Sequence, residues 1–131
     1  MIHYLLIRRD LPFGVTLAQL AHAAANSMED WLKWETGTSP SDMGSLFDTP
    51  DFPQHEPMTV VVLGVRDRIS LERWQRKLNR KKVRNTVVRE PDAPWHNQMM
   101  AIGVWPGEKA DLAGHFKRLD LISYQNWEAR Q

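Results

Sequence analysis

Met58 to Val65, "MTVVVLGV", is a nearly unbroken aliphatic run, and Ile2 to Arg9, "IHYLLIRR", is its counterpart at the start of the chain. A strand with one wet face alternates apolar and polar residues, whereas one that fails to alternate has both faces covered. Both runs therefore demand layers above and below the sheet. Between them, Leu17, Leu20, Ala21, Ala24, Met28, Trp31 and Leu32 recur at three- and four-residue steps. That spacing predicts a helix from about Val15 to Glu35, entered through the turn material "DLPFG" at Asp10–Gly14. A strand–helix–strand unit of this kind favours parallel pairing.

Downstream, a second helix is predicted with Ser70 as N-cap and Ile69 stapled onto Trp74, burying Leu71, Trp74 and Leu78. Val83 to Arg89, "VRNTVVR", reads as a third strand, stopped by Pro91, and Gln98 to Val104, "QMMAIGV", as a fourth, stopped by Pro106. The short link "PDAPWHN" makes these two an antiparallel pair. A last helix is expected from near Glu108 to about Leu119, interrupted at Gly114. The expected fold is α/β, a single domain over residues 1–131 with a small four-stranded mixed sheet flanked by helices on both faces. Gly37 to Pro57, rich in Gly, Ser, Pro and Asp, is expected to be a long acidic loop.

Composition narrows the chemistry. The chain has no cysteine, so disulfides, thiolate metal sites and a thiol nucleophile are excluded. Its five histidines never fall at short ligand spacing, and no metal or other cofactor is expected. The apolar N-terminal stretch is too short for a signal peptide and no run reaches the ~20 residues of a membrane span, so the expectation is a soluble cytoplasmic protein. Phosphate-binding glycine loops, the Gly-x-Ser-x-Gly elbow and the His-Glu-x-x-His helix are all missing.

Charge is unevenly spread. Between Glu29 and Pro57 seven acids face Lys33 alone, whereas between Arg66 and Arg89 ten bases face Asp67 and Glu72. The basic stretch is either a solvated helix face or a contact for a polyanion. The predicted first helix differs again, since no formally charged residue lies between Asp10 and Glu29. Helical geometry sets Gln19, His22 and Asn26 opposite the apolar stripe, on a side facing away from the core. Such a polar but thinly charged side is either covered by a neighbouring helix or approached by another body.

"RRDLPFGVTLAQLAHAA", followed by "MTVVVLGV", "VVREPDA", "MMAIGV" and "LAGHFKRL", resembles the second-type peptidyl-tRNA hydrolases. The most specific pieces are Arg-x-Asp-Leu before the glycine, Ala18-Gln19-x-x-His22-Ala23, and Ala101-Ile102-Gly103 after an Asp-Ala pair. The resemblance implies cleavage of the ester joining a peptide to tRNA, in a site near the start of the first helix beside the turn containing Asp92. Gln19, His22 and Asp92 match family positions and are the expected catalytic residues, with Asp10 and Gly14 shaping the turn. The chain departs from the family pattern at Val15, where lysine is usual, at Pro94 in place of glycine, and at Gln98 in place of threonine.

In such a site Asp92 would hold or activate the water, Gln19 and either Asn97 or Gln98 would donate to the oxyanion, and His22 would orient a partner or act as base. The plainer reading of Asp92 is a turn-capping carboxylate. Phosphate contacts are expected from Arg73, Arg76, Lys77, Arg80 and Lys81, with Trp95 stacking on an unpaired base. The other tryptophans are expected to serve packing or an interface, a homodimer being one use of them. The alternative function is a non-catalytic tRNA- or protein-binding module on the same fold, which Val15 and Gln98 favour.

Overall fold

Strand β1 (Ile2–Arg8) sits near the middle of the sheet, with every one of its residues buried. The structure, a computed structural model, describes residues 1–37 and 58–122. The expected acidic loop at 37–57 therefore lies, beyond Gly37, outside the described residues. Strand β2 (Thr59–Val65) pairs parallel to β1, Leu5 opposite Val62 and Arg8 opposite Val65. Strand β4 (Gln98–Val104) lies antiparallel on the other side of β1, with β3 (Asn85–Glu90) antiparallel to β4. A two-residue β5 (Asp120–Leu121) pairs with β2 and completes the order β3-β4-β1-β2-β5. The sheet thus has five strands rather than the expected four, because a two-residue edge strand offers no periodicity to read.

Helix α1 (Phe13–Thr36) covers one face and α2 (Arg68–Arg80) the other. Strand alternation explains the division: Leu5 and Ile7 join Ala23 of α1 in one core, while Tyr4 and Leu6 join Leu71 and Leu78 of α2 in the other. A short α3 (Lys109–Leu112) runs into a 3-10 turn at Ala113–Phe116, where a longer interrupted helix was expected. Phe116 packs against Tyr4, ring centroids 4.5 Å apart. No helix among the described residues is long and apolar enough to cross a membrane.

Two local expectations are corrected. Helix α2 starts earlier than predicted, with Asp67 as N-cap accepting a hydrogen bond from the Ser70 backbone N–H at 2.9 Å, and Ile69 is half exposed rather than stapled. That amide holds the Asp67 carboxyl below its usual range, helped by Arg66. Helix α1 is rotated about a third of a turn from the predicted orientation, burying Thr16, Gln19, Ala23 and Ser27 while Leu17 stays exposed. The cause is close approach to the sheet. A Cβ on Gly103 would collide with the Ser27 side chain and stand 2.5 Å from the Ala23 carbonyl oxygen. Only small side chains fit that contact, so volume rather than hydrophobicity selects the buried face.

The contact is also tied by hydrogen bonds. Ser27 Oγ donates to the Ala23 carbonyl at 2.6 Å and lies 2.7 Å from His3 Nε2. A hydroxyl has one proton, so with Ser27 donating to Ala23, His3 supplies the proton of the second bond from Nε2. Burial lowers its pKa from the ordinary 6.5, consistent with a neutral ring.

Candidate active site

The rotation of α1 carries Gln19 inward. Only 4% exposed, it donates from Nε2 to Glu90 Oε2 at the end of β3, 3.1 Å away. A carboxylate only accepts, which fixes the amide orientation and leaves Gln19 Oε1 pointing elsewhere. That oxygen is buried without a hydrogen-bond partner among the described residues. Glu90 Oε1 in turn accepts from the backbone N–H of Asp92 at 3.2 Å. One carboxylate thus joins the helix to the turn that follows β3.

That turn is closed by main-chain bonds: the Asp92 carbonyl accepts from the N–H groups of Trp95 at 2.9 Å and His96 at 3.1 Å, and Asn97 N–H donates to the Glu90 carbonyl at 2.7 Å. The Ala93–Pro94 peptide is cis, and His96 and Asn97 both adopt left-handed backbone angles. The Asp92 carboxylate caps nothing among the described residues. It is exposed and lines a cavity of about 340 Å³ together with Gln19, Glu90, Trp95 and the Gly14–Ala18 turn of α1. Two carboxylates line this cavity and no basic side chain does.

The expected catalytic set is therefore assembled in part. Gln19 and Asp92 share the cavity, whereas His22 is exposed and lies off its lining. Gly14 belongs to the first turn of α1 rather than to the preceding turn, and a Cβ added there would meet open space, so its place on the wall follows from the helix start. Of the RNA-binding candidates in this region, Trp95 forms part of the wall, while Asn97 and Gln98 do not. Gln98 Oε1 instead accepts from Arg8 Nη1 at 2.9 Å, and Gln98 faces a separate cavity with Asp10 and Asp67.

Two participants escaped the sequence reading. Glu90 was hidden by a β-bulge between Val88 and Arg89, which interrupts the period-two count along β3. Arg8 closes the apolar first strand and is 5% exposed. It holds Asp10 through two bonds of 2.6 and 2.7 Å, reaches the Met99 carbonyl at 3.2 Å, and lies 5.6 Å from the Trp95 ring centre. Asp10 is thus the counter-ion that orients Arg8 behind Trp95. The available signal was a cation at the end of a buried strand, two residues before an acid.

The basic residues of α2 lie across the sheet from this cavity, because α1 and α2 pack on opposite faces. Arg73, Arg76 and Arg80 are exposed on α2, Lys77 is partly covered with its Nζ 4.5 Å from the Trp74 ring centre, and exposed Lys81, just past the helix, lines a cavity with Trp34 of α1. They do not overlook the Gln19–Asp92 cavity.

A search of curated proteins returned no match. The sequence model of the family described as "Peptidyl-tRNA hydrolase PTH2" matches residues 1–122, spanning every element from β1 to β5 and both walls of the cavity, and the chain belongs to that family of enzymes.

Proposed function

We propose that the protein hydrolyses the ester joining a peptide, or another N-acylated aminoacyl group, to tRNA, and that it does so in the cavity between α1 and the Asp92 turn. The buried, unpartnered Oε1 of Gln19 carries this reading. A buried acceptor without a donor costs about 1–3 kcal/mol, a cost relieved when a water or a substrate group donates to it. Ester hydrolysis needs such a seated water.

The roles follow from which oxygens are engaged. Both oxygens of Glu90 already accept, one from Gln19 and one from the Asp92 amide, so Glu90 acts as a positioning residue. The Asp92 carboxylate is the free base. Once substrate binding opens access to the buried Gln19 Oε1, water donating one hydrogen to it and the other to Asp92 turns its lone pair toward the ester carbon. Attack forms the new carbon–oxygen bond as Asp92 takes the proton, and collapse breaks the bond to the ribose oxygen, which leaves with the proton that Asp92 returns. General-base assistance of this kind contributes about 10²–10⁴-fold. The second Nε2 hydrogen of Gln19 and the indole N–H of Trp95 are the side-chain donors on the cavity lining for the developing oxyanion. No cofactor enters these steps, tRNA is the macromolecular partner, and such a substrate places the work in the cytoplasm.

The test is to incubate the protein with N-blocked aminoacyl-tRNA and follow ester loss for the wild type and Asp92→Asn. Cleavage by the wild type, reduced about 10²-fold or more in the variant, is the expected result. Equal background rates would leave a binding module on the same fold.

A further inference from the structure

The phosphates of an RNA substrate need cations, and the lining of the Gln19–Asp92 cavity supplies none. Another cavity lies at the other end of α1. It measures about 420 Å³ and is bounded by Trp31, Trp34, Trp105, Lys81, Lys82 and Arg84 among others. We propose that this second cavity binds an unpaired nucleotide of an RNA strand, the base against Trp34 and the flanking phosphates on Arg80, Lys81 and Lys82. The proposal takes the identity of the strand from the hydrolase reading, but its test needs no turnover.

The Arg84 guanidinium lies 4.4 Å from the Trp34 ring centre and 5.5 Å from that of Trp105, while the two rings are 6.1 Å apart and tilted by 55°. Trp105 is held by a hydrogen-bonded chain, its Nε1 donating to Thr86 Oγ1 at 2.9 Å and Thr86 donating to Asp30 at 2.6 Å. The inner side of the cluster is therefore fixed. Trp34 is nevertheless 54% exposed, an uncommon placement for the largest apolar side chain.

A planar cation stacked on indole, with further ring surface open, is the arrangement on which single-stranded bases stack. Charge adds direction. Glu35, Glu108 and Asp111 balance Lys81, Lys82 and Arg84 on the lining, so the cavity itself suits a neutral base better than a phosphate. Exposed Arg80, Lys81 and Lys82 are consecutive in the chain and lead to it, providing the backbone track. From Gln19 to Trp34 along α1 is about 22 Å at 1.5 Å rise per residue. Several nucleotides of single strand cover that distance, so one RNA can occupy both sites.

The experiment titrates deacylated tRNA, and separately a ten-nucleotide single-stranded RNA, into wild type, Trp34→Ala and Arg84→Ala, with circular dichroism to confirm folding. Each variant is expected to bind both RNAs about tenfold more weakly, and Arg84→Lys to keep the salt dependence while losing part of the affinity. Lys81→Ala should lower the salt slope by about one phosphate contact. Should wild type bind RNA through Trp34 yet hydrolyse no acyl-tRNA, the hydrolase reading fails and this one stands. Affinities unchanged within about twofold in folded Trp34→Ala would overturn it. So would a wild-type dimer in sedimentation that Trp34→Ala dissociates without effect on RNA binding, which would assign the face to a second copy.

Discussion

Gln19 Nε2 and Glu90 Oε2 lie 3.1 Å apart, joining the first helix to the end of the third strand across the wall of the cavity. The bond fixes which end of the Gln19 amide is left without a partner. Glu90→Gln removes the pure acceptor and frees that amide to flip, so turnover should fall about tenfold or more with little change in KM. Steady-state kinetics on acyl-tRNA check the split, and a KM effect alone would place Glu90 in binding instead.

Gln19→Glu sets a second carboxylate against Glu90 in a part-buried position. Like charges at that separation should cost about 1–3 kcal/mol of stability at neutral pH, with recovery as the pH falls and one carboxyl takes a proton. Urea denaturation at pH 7 and pH 4.5 measures the difference.

Val15 lines the cavity with an aliphatic side chain where the family pattern expects lysine. Val15→Lys introduces a cation beside Asp92 and Glu90, and hydrolysis of acyl-tRNA is expected to rise by about tenfold through charge stabilisation in the transition state. A matching gain should be absent in Val15→Met, which adds length without charge.

Gly103→Ala drives a methyl group into Ser27 and the Ala23 carbonyl. Overpacking of this kind costs about 1–3 kcal/mol, and Ser27→Gly in the same chain should recover part of it. Thermal unfolding of the single and double variants checks the coupling.

His3 is 2% exposed and its pKa is lowered by burial from 6.5. The unfolded chain therefore binds the His3 proton more readily than the folded one. Its contribution to stability is fully present above pH 6.5 and is lost as the pH falls toward the folded-state value. The thermal midpoint should decline across that window, and His3→Gln should flatten this part of the profile.

The layers were legible because continuous apolar runs have a single physical reading, and strands β1 and β2 fall where the two runs lie. Helix α1 was legible in extent but not in rotation. Periodicity ranks faces by hydrophobicity, whereas Gly103, Ala23 and Ser27 are selected for size, and the sequence does not say which strand residue faces a helix. The same rotation decides the site. It buries Gln19, leaves His22 outside, and brings in Glu90, whose side was hidden by the bulge. The place of Asp92 in the turn after β3 was readable from the resemblance, and Arg8 stood in the Arg-x-Asp-Leu motif; the reach of Arg8 to Gln98 and the Trp34–Arg84 contact were not readable, since they join residues distant in the chain.

The most direct measurement titrates a non-hydrolysable 3′-acylamido-adenosine into isotope-labelled protein and follows its amide resonances. The account predicts that the Gln19 side-chain amide and the backbone amides of Asp92, Ala93 and Trp95 shift together along one saturable curve. Saturable shifts confined to other parts of the molecule, with the Gln19 side chain unmoved, would contradict it.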